Sequence, residues 1–154
     1  MRYAFPLLFL AAISGCRTPQ TTRPLDALRS AYPQVIWDTL SVRADLNCDS
    51  LPDEARIGHY KGHIFVGFTF ADAKEPDILE FAVAGGIQQA ICGEPATLTT
   101  ESQDFSPSAS DERGELPGFR RSAWCVGLRL AGGECDSVHI YWNHDAKQIT
   151  WWRL

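Results

Sequence analysis

Apolar residues fall on alternate positions through most of the chain beyond Pro33, and a period of two belongs to strands. Leu40, Val42 and Ala44 alternate with Ser41 and Arg43 as a half-buried strand. Ala55 to Tyr60 and His63 to Phe70 read as two strands joined at Lys61-Gly62, with Ile64, Val66, Phe68 and Phe70 on one face. Asp77 to Val83 and Thr97 to Gln103 follow as further strands. Trp124, Val126, Leu128 and Leu130 then alternate with Cys125, Gly127 and Arg129. Gly132-Gly133 signals a hairpin, Val138, Ile140 and Trp142 share a face, and Gln148 to Arg153 forms the last strand after a turn at Asn143-His144-Asp145. Before this pattern begins, Thr22 can cap a short helix, with Pro24 in its first turn, Leu25 and Leu28 on one face, and Pro33 as its stop. The expectation is a mainly β fold: a single antiparallel sheet or sandwich of about seven or eight strands with one short N-terminal helix. Trp142, Trp151 and Trp152 are read as staples of the terminal meander, with a sugar-binding platform as the rival role.

The first residues, MRYAFPLLFLAAISGC, place one cation ahead of an apolar run from Tyr3 to Ile13. A helix spanning a bilayer needs about 20 apolar residues, so this run suits the core of a secretory signal instead. Its end, Ile13-Ser14-Gly15-Cys16, resembles the bacterial lipobox. That resemblance implies cleavage before Cys16 and lipid on its thiol and new amine; an ordinary cleaved signal is the alternative. Residues 1–15 are then the lipoprotein signal peptide, 16–22 a lipidated tether, and 23–154 one β-rich domain. Several acyl chains would anchor the protein stably to a membrane. Arg17 after Cys16 resembles the class sorted to the outer membrane in proteobacteria, which implies an envelope lipoprotein facing the periplasm. The chain otherwise resembles small envelope lipoproteins in general character. The net charge of −5 disfavours nucleic acid or an anionic membrane surface as an electrostatic partner, and no dense basic patch exceeds Arg120-Arg121.

With Cys16 assigned to lipid, Cys48, Cys92, Cys125 and Cys135 remain, an even set suited to disulfides in an exported chain. Four cysteines allow about three connectivities. The pairing favoured on sequence separation is Cys48–Cys92 with Cys125–Cys135, the second closing a short loop around Gly132-Gly133. A zinc site is the weaker rival, because no C-x2-C spacing occurs.

One stretch, Ala44 to Gly58 (ADLNCDSLPDEARIG), carries chemistry beyond folding. Calcium takes about six to eight hard oxygens in flexible geometry, and alternate loop positions can aim side chains at one centre. Asp45, Asn47, Asp49 and Asp53 stand at relative positions 1, 3, 5 and 9, with Leu51 at position 7. This spacing resembles the calcium loops of FG-GAP and VCBS-type repeats and of dockerins. The resemblance implies side-chain ligation by Asp45, Asn47, Asp49 and Asp53, and carbonyl ligation by Leu51, whose side chain would be free to face the core. Two departures weaken it: Ser50 replaces the turn glycine, and Arg56 stands where an EF-hand places a bidentate Glu. A left-handed Ser50 would cost roughly 1 kcal/mol, so affinity should be modest. The alternative is an ion-free turn closed by its own side chains. Cys48 is expected to point away from the centre, so that its disulfide holds the loop shut from outside.

The segment 104–118 (DFSPSASDERGELPG) is rich in Ser, Pro, Gly and acid, and is expected to be a mobile loop. No G-x-S-x-G, H-E-x-x-H, phosphate-binding or dinucleotide motif occurs. His59 and His63 flank a turn, and Asp111, Glu112 and Glu115 lie in the long loop, a poor frame for paired catalytic carboxylates. The expectation is a binding or scaffold module and not an enzyme. The competing class is an inhibitor or accessory factor of an envelope hydrolase, similar in kind to lysozyme-inhibitor lipoproteins, using Ser106 to Glu115 as its inserting loop.

Overall fold

A computed structural model describes residues 23–85, 90–106 and 116–153. The signal segment, Cys16, the tether 16–22 and the centre of the long loop, 107–115, lie outside the described residues.

The fold is mainly β, with one helix and ten strands among the described residues, arranged in two sheets. The first sheet has six strands: β1 (Ile36–Trp37), β2 (Val42–Ala44), β3 (Asp53–Tyr60), β4 (His63–Thr69), β5 (Asp77–Val83) and β6 (Ala90–Ile91). Their order is β1-β3-β4-β5-β6, with β2 also paired to β3. The second sheet has the order β10-β9-β8-β7, built from β7 (Thr97–Gln103), β8 (Ser122–Ala131), β9 (Val138–Asn143) and β10 (Gln148–Trp152). All pairs are antiparallel except β5 with β6. The expected single sheet or sandwich of seven or eight strands is found as ten strands in two sheets among the described residues, one pair of them parallel. The added strands β1 and β6 are only two residues long, too short to display alternation.

The main core lies where the sheets face each other. Ile57, Ile64, Val66, Phe68 and Phe81 from the first sheet meet Leu128, Leu130, Val138, Ile140 and Ile149 from the second. Trp142 and Trp151 add to this layer, edge-on to Phe70 and Phe81 at 5.1 and 5.6 Å between ring centroids. Trp152 projects to the other side of its strand and stacks on His139 at 4.4 Å. The terminal tryptophans thus act as packing groups, two partly buried against the core and one on the outer face.

Strand β4 is buried on both faces, and the second face explains the helix. Helix α1 (Pro24–Ala31) is two turns long, too short to persist alone in water. It is held by Leu28, fully buried against Val35, Trp37 and Phe65. Its N-cap is Arg23, which makes no side-chain cap bond, in place of the expected Thr22. Two glycines admit this layer. A Cβ at Gly58 would sit 2.5 Å from Val35 Cγ1 and 2.6 Å from Trp37 Cε3; one at Gly67 would sit 2.5 Å from Leu28 Cδ2 and 2.7 Å from Trp37 Cη2. Missing side chains in β3 and β4 bring the Trp37 ring and Leu28 down onto the sheet. Gly67→Ala should lower stability by about 1–3 kcal/mol through overpacking. The readout is a lower urea midpoint with an unchanged slope.

Candidate functional site

The acidic loop joins β2 to β3 and is closed by its own side chains. Asp45 accepts the backbone N–H of Asp49 on Oδ1 at 3.1 Å and that of Ser50 on Oδ2 at 3.0 Å. Asn47 Oδ1 accepts the same Asp49 N–H, and its Nδ2 donates to Asp49 Oδ2, both at 3.1 Å. Asp49 Oδ1 accepts the N–H of Leu51 at 2.7 Å. Asp45, Asn47 and Asp49 are thereby gathered at one place. Cys48 and Ser50 both take left-handed backbone, with φ of 64° and 69°. Each such residue costs about 1–2 kcal/mol, which the inward hydrogen bonds oppose.

Asp53 does something different. It is 1% exposed, and both its oxygens are engaged: Oδ2 by the N–H of Leu46 at 2.9 Å, Oδ1 by the N–H of Ala71 at 3.0 Å. Burial pushes its carboxyl pKa up, the two backbone N–H groups oppose that shift, and the charge of Asp49 adds to it. Leu51 is 47% exposed, so the expectation that its side chain enters the core is corrected. The anchoring residue is Leu46, 2% exposed and part of the main core. Period-two reading inside a loop fails here because the left-handed residues reset the alternation.

The oxygens of Asp45, Asn47 and Asp49 are the hard donors calcium takes, and each carboxylate retains lone pairs beyond its N–H partner. Asp53 stands beside Asp49 as the buried member. Among the described residues, no group of three or more His, Cys, Asp or Glu side chains has the arrangement of a metal site. The oxygens are of the hard type that calcium takes, and backbone and water oxygens would have to complete any shell around them.

The disulfides are Cys48–Cys125 and Cys92–Cys135, with Cα–Cα distances of 5.1 and 5.7 Å. The favoured pairing of Cys48 with Cys92 and Cys125 with Cys135 is corrected. The physical reason is the straightness of β8: from Cys125 to Ala131 an extended strand travels about 20 Å, so neighbours in sequence lie at opposite ends. Cys125 instead sits beside the acidic loop, where the N–H of Val126 donates to Asp45 O at 3.1 Å. Cys48 ties the loop to Cys125 on β8 of the other sheet.

No match to this chain is found among models of known protein families, curated proteins or solved structures. Its site is therefore read from its own geometry.

Three of the histidines lie beside carboxylates. His59 lies 3.4 Å from Asp38 and 3.3 Å from Glu94, and His63 lies 2.8 Å from Glu80. His139 lies 2.8 Å from Glu101, which reaches over β8 at Gly127. Sequence reading missed this contact because its partners are 38 residues apart. The ends of the long loop are tied down: Arg121 Nε donates to Asp104 Oδ1 at 2.7 Å, Phe105 meets Phe119 at 5.1 Å, and Tyr141 donates its hydroxyl to Pro117 O at 3.0 Å.

His144 closes the same end. Its N–H donates to Gly118 O at 3.0 Å, and its Nε2 lies 3.6 Å from Cys48 Sγ. Burial, and then the charge of Arg120, hold its pKa below the ordinary imidazole value; Asp145 opposes this. A depressed folded pKa means the unfolded chain binds the proton more readily. The stability from neutral His144 is present above the unfolded value, near 6.5, and is lost as pH falls through the folded one. His144→Gln should therefore flatten part of the wild-type fall in melting temperature between about pH 7.5 and 5. Parallel wild-type and variant slopes would remove this assignment.

Proposed function

We propose that this chain is a lipid-anchored protein of the bacterial envelope, held through Cys16 on the periplasmic side of the outer membrane, and serves there as a binding or scaffold module with a structural calcium loop. The observation that carries the reading is the pair of disulfides that join one sheet to the other. Such bonds persist in oxidising compartments, as the secretory character of the first sixteen residues requires. Replacing Cys16 with Ser should move the protein from the membrane pellet to the soluble fraction. A Cys16→Ser protein that still pellets with membranes would overturn the anchor.

Calcium would bind oxygens of Asp45, Asn47, Asp49 and Asp53 together with the carbonyl of Leu51. It would neutralise the repulsion between Asp49 and Asp53, whose carboxyl is pushed up first by burial and then by the charge of Asp49. A dissociation constant of about 0.1 mM suits an extracellular module. At about 1 mM calcium that predicts about 1.4 kcal/mol of stabilisation, a rise of a few degrees in melting temperature over EDTA. Magnesium should not reproduce the rise, and Asp49→Ala should abolish it. An unchanged melt at about 10 mM calcium would leave the loop as an ion-free turn.

A second reading, an inhibitor or accessory factor of an envelope hydrolase, draws on one observation. The ends of the long loop are fixed to β9 and to each other, as a presented loop requires. Inhibition of a lysozyme by the intact protein, lost on deleting Ser106 to Glu115, would replace the first reading with this one.

A further inference from the structure

Trp124 is 91% exposed, the most exposed of the large apolar side chains among the described residues. A packed Trp buries about 150–250 Å², so this one leaves almost all of its area in water. β8 runs between β7 and β9, but its ladder with β9 covers only Leu128 to Leu130, so Trp124 has no partner on that side. The strand itself expels it. Ser102 pairs with Val126 but Gln103 pairs with Ser122, so residues 123–125 have no partners on β7. The slip turns Cys125 inward, to 2% exposure, and Trp124 outward. The backbone is then fixed in that form. Ser122 Oγ accepts the N–H of Trp124 at 3.1 Å and of Cys125 at 3.2 Å, the disulfide holds Cys125, and Asp45 holds Val126.

The end of the molecule that carries Trp124 is also the end at which helix α1 begins. Pro24, at the start of α1, lines one cleft with Pro52 and Ala71. Ala71 is bonded to Asp53, Asp53 to Leu46, and the loop of Leu46 is joined by disulfide to Cys125. The tether 16–22 spans at most roughly 25 Å fully extended. Leu51, 47% exposed, lies on the disulfide-held loop, and Arg120 and Arg121, just before Trp124 in sequence, pair with Asp145 at 3.8 Å and with Asp104 at 2.7 Å. An exposed indole is the group that membrane–water interfaces favour, with the ring at headgroup level.

We infer that Trp124 is a bilayer-contacting side chain, inserted into the interface of the membrane that holds Cys16, so that the domain is seated on the lipid surface with its acidic-loop end down. This rests on the lipid anchor proposed above. The test uses the lipidated mature protein in phosphatidylcholine vesicles, with and without brominated acyl chains, and a Trp124→Phe variant that keeps a ring but removes the fluorophore. Wild-type emission should be quenched by brominated lipid, and quenching in Trp124→Phe should fall to under about one third of the wild-type value. Protein that floats with the vesicles yet shows equal quenching in both forms would overturn the inference while leaving the anchor intact. Iodide that still reaches Trp124 on the vesicles would also overturn it, and would assign the side chain to a water-borne partner. Mature protein that carries no lipid and does not float would overturn the anchor and this inference together.

Discussion

The placement of one buried carboxylate organises the end of the sandwich where the chemistry lies. Asp53 begins β3, yet its two oxygens serve two other segments, the acidic loop through Leu46 and the exit of β4 through Ala71. Leu46 then delivers its side chain to the core between the sheets. A carboxylate at 1% exposure is costly, and two charge-assisted hydrogen bonds offset that cost. An apolar residue of similar volume could fill the space but could not accept either N–H. The loop, the strand start and the core are thus set by one side chain, and the polar contents of the loop inherit their position from it.

The double coverage of the first sheet follows a similar logic. A six-stranded sheet packed on only one side would leave Phe65 and Trp37 in water. The helix covers that side, and it can approach because Gly58 and Gly67 present no side chains there. The helix has little stability of its own, so its order comes from the sheet beneath it.

Strand order along the chain was readable because alternation is a local property. Asp77–Val83 and Thr97–Gln103 appear with the boundaries that alternation predicts. What failed was the reading of non-local geometry. Cys125 and Cys135 are ten residues apart but separated by a straight strand, while Cys48 and Cys125 meet across 77 residues. Trp124 sits in phase with Val126 and Leu128 in the sequence, but an unpaired stretch opposite β7 moves it to the outside. The two-residue strands β1 and β6 carry no period at all. In the candidate site, the hard-oxygen spacing of Asp45, Asn47 and Asp49 was legible. The separate role of Asp53 was not, because it depends on Ala71, 18 residues away.

The two disulfides interlock, since Cys92 lies within the span closed by Cys48 and Cys125, while Cys135 lies beyond it. Each closes a long loop and restricts the unfolded chain, on the order of 4 kcal/mol apiece by loop entropy. The crossing has a topological effect as well. A peptide bond broken anywhere between Cys92 and Cys125 leaves Cys48 and Cys92 on one piece and Cys125 and Cys135 on the other, so both crosslinks bridge the cut. A single nick in this stretch would yield a two-chain molecule whose pieces stay covalently attached and keep the shared core between them.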